Sequence, residues 1–305
     1  MKRNTYHLGY YQEGVSKIGQ FDVEEISNPL TRDKQINQRV VRDIQQLLLH
    51  IYSKDQAHRE QLLQSTFCNA NVHKSSMDSD HLWLISIEGE LCAYASGRFI
   101  YTASAEQVYV FKACMISAEI DNRAELYSWL YARQIIRGVL CYWNNSQNLG
   151  KPLPFITRTL NPVVAQTLYQ IGSNMYPGLD GCSINDTVRS RYRAFEAVIN
   201  ESIQDDGILI NSFMKHSDYS LKLTKGKSLR SKIHNLCRAL GDTDGVAITG
   251  EINFEQWLID HLYNKSAIDQ TNLKDINLIQ LLQSSAVEKV TQISKLEVEE
   301  GCDYA

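Results

Sequence analysis

The chain has 305 residues, 43% of them hydrophobic and 22% charged, which is the composition of a folded protein with one large domain or two small ones and excludes wholesale disorder. Its 31 basic and 35 acidic residues leave a net charge of -4, so electrostatics gives no ground for a nucleic-acid partner or an anionic membrane surface. Seven cysteines stand singly, at 68, 92, 114, 141, 182, 237 and 302; none has zinc-ligand spacing, and an odd number excludes a fully paired disulfide framework.

Residues 1 to 35 are polar and irregular, with one strand expected at Tyr6-Tyr11. The opening MKRNTYHLGYYQEG lacks the apolar segment of a signal peptide, and no apolar run nears the ~20 residues of a membrane span. The expectation is a soluble, cytoplasmic protein with reduced thiols and no membrane partner, export by a signal-peptide-independent route remaining open. From Asn37 to Leu63 the recurrence of Val40, Ile44, Leu47, Leu48 and Ile51 predicts helix, and a second helix is expected to end near Phe67. After a polar loop, HLWLISIE and LCAYASGRFIY flank Gly89-Glu90 as a hairpin. EQVYVFKACMIS predicts a long central strand buried on both faces.

RAELYSWLYARQIIRGVLCYW, from Arg123, carries Leu126, Trp129, Leu130, Ile136 and Leu140 on about one face and predicts an amphipathic helix. A strand through Phe155 and Ile156 should end at Thr159, where Asn161 caps a helix and Pro162 takes its first position. That helix buries Val164, Leu168 and Ile171, places Tyr169 on another azimuth and ends at Gly172. Beyond residue 178, helices are expected over 188–204, 226–240, 252–264 and 272–296, a strand over GILINSF, and a turn leading into a small hairpin at GDTDGVAITG. The layout is α/β with mixed strand order, and the composition places a boundary near 180 to 187, giving domains 1–180 and 181–305.

The order of elements over about residues 80–178, with Thr157-Arg158-Thr159, Asn161, Tyr169 and Gly172, resembles the Gcn5-related N-acetyltransferase family. The resemblance implies a mixed sheet with a splayed central strand pair, here followed by a mainly helical C-terminal extension. It implies acetyl-coenzyme A as cosubstrate, with main-chain groups of Met115, Ile116 and Ser117 on the pantetheine amides. Amides of Arg123, Ala124, Leu126, Tyr127 and Ser128 would hold the pyrophosphate. Asn161 would meet the pantetheine arm, and Tyr169 would protonate the departing thiolate. Acetyl would pass directly to an amine acceptor in a ternary complex, without metal. The sequence departs from the family pattern where Leu126 and Ser128 stand at glycine positions and Glu125 adds a negative charge. That departure keeps a second reading open, a binding or regulatory protein that has the fold without catalysis.

The residues also have readings of their own. A phenol with an ordinary pKa near ~10 can serve a thiolate as general acid, and a tyrosine on a packed helix is equally an amphipathic edge residue. Cys114, mid-strand, reads as a buried inert thiol. The long strand carries no carboxylate; Glu106, Glu119 and Asp121 flank it. The eight histidines are dispersed, without metal-ligand spacing, and the basic clusters at Arg189–Arg193 and Lys222–Lys232 read as solvated surface.

Overall fold

In a computed structural model, the described residues are 14–18, 21–120, 123–159, 161–179, 183–212, 240 and 244–254. The protein is a mixed α/β chain, as the sequence pattern led one to expect, and it divides into two compact units. Residues 14–98 and 112–151 belong to the first, residues 99–111 and 152–254 to the second.

The first unit opens with β1 (Gly14–Ile18) and β2 (Phe21–Ser27), an antiparallel hairpin in a region expected to be irregular. Acidic residues at Asp22, Glu24 and Glu25 masked the alternation of Phe21 and Val23. Glu25 nevertheless takes a buried position because Arg137 stands 4.0 Å from its carboxylate. The helix α1 (Lys34–Tyr52) begins where the Asp33 side chain accepts from the Gln35 amide at 2.7 Å, and its buried stripe contains Val40, Ile44, Leu47 and Leu48. Two shorter helices follow, α2 (Gln56–Gln64) and α3 (Asn69–Val72), then a π-helical turn at His73–Met77.

β3 (His81–Ile87) and β4 (Glu90–Tyr101) form the expected hairpin, with its tip at Glu88-Gly89 rather than Gly89-Glu90. Both tip residues have positive φ, 51° and 85°, the two-residue turn that matches the natural twist of the strands. β4 and β5 (Gln107–Ile116) pair and contribute residues to both units. The double-sided burial expected of β5 holds for Val108 to Phe111; Lys112 to Met115 are only half-buried. The first unit closes with α4 (Arg123–Trp143).

In the second unit β5 pairs in parallel with β6 (Leu153–Thr159), followed by α5 (Pro162–Ile171), β7 (Ser173–Tyr176), α6 (Asp186–Ile199), β8 (Ile208–Leu209) and β9 (Gly245–Ile252). The turn-rich GDTDGVAITG thus leads into an eight-residue sheet strand, not a small hairpin. β9 pairs antiparallel with β6 over seven positions and also meets β7 and β8. α6 stops at Ile199, before the expected residue 204, because Asn200 takes a left-handed conformation with φ 59°. Only Ile208 and Leu209 of GILINSF form strand, and Ile252, expected in a helix, ends β9. The compact units do not follow a boundary near residue 180: elements on both sides of it, from β6 to β9, share the second unit. Its core includes Ile100, Val110, Ile156, Val188, Tyr192 and Phe195. The strand expected at Tyr6-Tyr11 and the helices at 226–240 and 272–296 lie outside the described residues, apart from Leu240.

Candidate functional site

The expected site residues fall into two groups, one in each unit. Met115, Ile116, Ser117, Arg123, Ala124, Leu126, Tyr127 and Ser128 form a strand, turn and helix start in the first unit; Asn161 and Tyr169 belong to α5 in the second.

In the first group, Met115 receives the Tyr52 hydroxyl on its sulfur at 3.7 Å. Ser117 is 4% exposed and its polar groups are used internally. Its amide donates to the Cys92 carbonyl at 2.8 Å, its hydroxyl accepts from the Glu119 amide at 3.3 Å, and its carbonyl accepts from Ile120 at 3.4 Å. A serine so engaged fixes the exit of β5. α4 begins at Arg123, as expected. Leu126, at the first of the two positions where the family pattern has glycine, is buried, so its side chain serves the core and only its backbone faces the question of a phosphate. Cys114, expected to be buried, is half-buried, and desolvation still pushes its thiol well above its ordinary range.

One residue in this group escaped the sequence reading. Lys112, the lone charge in VYVFKACMIS, donates through Nζ to the Lys74 carbonyl at 2.8 Å and to the Asp78 carbonyl, and its Nζ lies 3.6 Å from the Asp78 carboxylate. Arg98 reaches that carboxylate at 2.6 Å. Burial pulls the Lys112 ammonium down to about 8, against the opposing attraction of Asp78. Its position in an apolar strand was the available signal.

In the second unit, the ladder from β5 to β6 is short. It pairs Tyr109, Val110 and Phe111 with Phe155, Ile156 and Thr157, and ends there although β5 continues to Ile116 and β6 to Thr159. At that point the Thr157 hydroxyl donates to the Phe111 carbonyl at 2.8 Å. A side chain has taken the acceptor at the last rung.

Asn161 sits where α5 starts: its carbonyl accepts from the Ala165 amide at 3.0 Å and its own amide donates to Thr159 Oγ1 at 2.9 Å. Tyr169 is half-buried, and its hydroxyl donates to the Pro177 carbonyl at 2.5 Å. The Tyr176 and Tyr192 hydroxyls are used in the same way, on Asp205 and Ala247 carbonyls at 2.6 and 3.0 Å. Gly172 ends α5, where an added Cβ would press on the flexible Met175 side chain and come 3.0 Å from the Leu168 carbonyl. Glu106, one of the carboxylates flanking the long strand, holds the buried Arg191 guanidinium through two contacts, at 3.0 and 2.5 Å, with Glu251 at 3.2 Å on the same group. Two carboxylates on one buried guanidinium form an ion cluster that is structural in its chemistry. Glu119 is exposed and 3.3 Å from His50.

Among the described residues no group of three or more His, Cys, Asp or Glu is placed to hold a metal ion, and no helix is long and apolar enough to cross a membrane.

No model of a known protein family matches the chain, and no curated protein does. Among solved structures, the loading GNATL domain of CurA from Lyngbya majuscula is similar: 12% identical, with 76% of this chain and 97% of that chain covered, at a TM-score of 0.30.

Proposed function

We propose that the chain is an acyl-coenzyme-A-dependent N-acyltransferase that passes acetyl from acetyl-coenzyme A directly to an amine. The observation that carries the reading is the three-residue β5–β6 ladder, which ends at Phe111 and Thr157 while both strands run on. β5 runs on to Ile116 past its last rung, and a pantetheine arm, which carries amides, is suited to pairing with such a strand. Met115 and Ile116 supply the main-chain partners in this reading, and the first amides of α4, from Arg123 to Ser128, supply donors and a partial positive charge to the pyrophosphate. Asn161 meets the arm from α5. Tyr169 protonates the coenzyme A thiolate, which requires its hydrogen to turn from the Pro177 carbonyl to the sulfur.

Calorimetric titration with acetyl-coenzyme A tests the reading. Micromolar binding that Arg123→Glu abolishes is the expected outcome; no heat at millimolar ligand sinks it. Where binding occurs, Tyr169→Phe should lower turnover much more than affinity, and an unchanged turnover would remove Tyr169 from the mechanism.

A further inference from the structure

We propose that Lys112 is itself an acyl acceptor, taking the acyl group of an acyl thioester onto its side-chain nitrogen. The identity of the donor rests on the acyltransferase reading; the reactivity of the amine rests on the groups around it, all of them in the first unit.

Lys112 projects from β5 with its Nζ on two main-chain carbonyls, that of Lys74 at 2.8 Å in the π-helical turn and that of Asp78 just beyond it. A neutral amine has the two hydrogens these carbonyls need, so losing a proton costs neither bond. The Asp78 carboxylate lies 3.6 Å from Nζ, longer than a hydrogen bond, and the same oxygen, Oδ2, accepts from Arg98 Nη1 on β4 at 2.6 Å. The ammonium thus has only a share of that charge. Burial, with the Arg98 and Lys74 charges adding to it against Asp78, brings the pKa to about 8. At pH 7.5 about a quarter of such amines are neutral, against about one in a thousand for an ordinary lysine. The side chain is 13% exposed, so the amine is covered without being sealed off.

In the proposed binding mode the pyrophosphate lies at the start of α4 and the arm pairs with Met115 and Ile116, so the acyl end runs back along β5 towards Lys112. Met115 and Lys112 are about 10 Å apart along the strand, a distance that the end of the arm and a lysine side chain cover together. The neutral Nζ attacks the thioester carbonyl carbon and the C–S bond breaks. The departing thiolate takes up the proton that the nitrogen sheds, leaving an amide and a free thiol. No further reactant is needed. Because the amide is stable, Lys112 is an end-point acceptor and not a carrier of acyl groups, and the reaction removes its charge from the π-helical turn.

Intact mass and peptide mapping of the full chain test the site, after incubation with acetyl-coenzyme A or with S-acetyl-N-acetylcysteamine, a thioester that lacks the nucleotide. With acetyl-coenzyme A at pH 7.5, Lys112 should gain one acetyl about tenfold faster than the exposed Lys34, Lys54 and Lys151. Its rate should reach half of the maximum near pH 8. Arg98→Met removes a cation that opposes the ammonium and leaves Asp78 to Lys112, so that half-rate pH should move upward, a change that a merely structural lysine does not show. Lys112→Arg, which keeps the charge, should abolish the first addition. If calorimetry shows acetyl-coenzyme A bound while Lys112 is no faster than the exposed lysines, the proposal falls and the acyltransferase reading stands. If acetyl-coenzyme A does not bind but the short thioester acetylates Lys112 first, the reading falls and the proposal stands. Lys112 trailing the exposed lysines with both reagents overturns it.

Discussion

Tyr169 was legible as a residue of interest, and its immediate partner was not. The sequence placed it off the buried stripe of α5, but the carbonyl it meets comes from Pro177, beyond a strand that the pattern did not suggest. Because the phenol donates to a main-chain carbonyl, Tyr169→Phe should lower stability by about 1 kcal/mol in urea unfolding, whatever it does to turnover. His81 has a sharper consequence. Its folded-state pKa lies well below the ordinary 6.5, so below pH 6.5 the unfolded chain binds a proton that the folded chain refuses. Stability is therefore full above about pH 6.5 and falls as the pH drops toward 5. Urea midpoints at pH 7, 6 and 5 should decline for the parent and decline less for His81→Gln; parallel declines would place the effect elsewhere. No local pattern announces His81, since its environment comes from Arg137 and Cys141, more than fifty residues away in the chain.

At the scale of elements, the existence of the long periodic segments was legible and their bounds less so: the helical run expected from Asn37 to Leu63 breaks at Ser53–Asp55 into α1 and α2, and strands carrying charge were missed. α1, α4, α5 and the β3–β4 hairpin follow from spacing and caps, which act within a few residues. β2 was missed because Glu25 interrupts its apolar face, and the compensating charge comes from Arg133 and Arg137 on α4, far along the chain. β5 was found as a strand, yet the role of its lysine depends on carbonyls at Lys74 and Asp78, in and beside the π-helical turn. Lys112 ties that turn to the strand, and it does so with an ammonium whose pKa has fallen from 10.5 to about 8. Between pH 8 and 10.5 the unfolded chain keeps a proton that the folded chain has released, so stability should rise with pH across that window. Measured against Lys112→Met, the parent should gain in urea midpoint between pH 7.5 and 9.5. A constant difference between the two proteins would show that the buried ammonium titrates normally.

At the scale of the whole molecule, the expected division near residue 180 rested on a change of composition, and composition says nothing about which strands pair. β9 lies more than eighty residues beyond β6 in the chain, yet it supplies seven consecutive partners from Val246 to Ile252. Val246, Ala247, Ile248, Thr249 and Ile252 are all 0% exposed, and the Thr249 hydroxyl donates to the Phe155 carbonyl at 2.7 Å. Gly250 is closely packed as well, since an added Cβ would press on the Met175 side chain and come 3.0 Å from the Ser173 carbonyl. α6 adds the buried Arg191, which holds Glu106 and Glu251 together. A chain ending at residue 180 loses all of these at once. It exposes the edge of β6, uncovers Ile156 and Val110, and leaves Glu106 without its guanidinium. The fragment 1–180 should therefore accumulate as aggregate rather than as a folded domain, and its soluble fraction should show no cooperative unfolding by circular dichroism. A soluble fragment with a sharp thermal transition would show that β9 and α6 are dispensable and that the boundary suggested by composition is a true one.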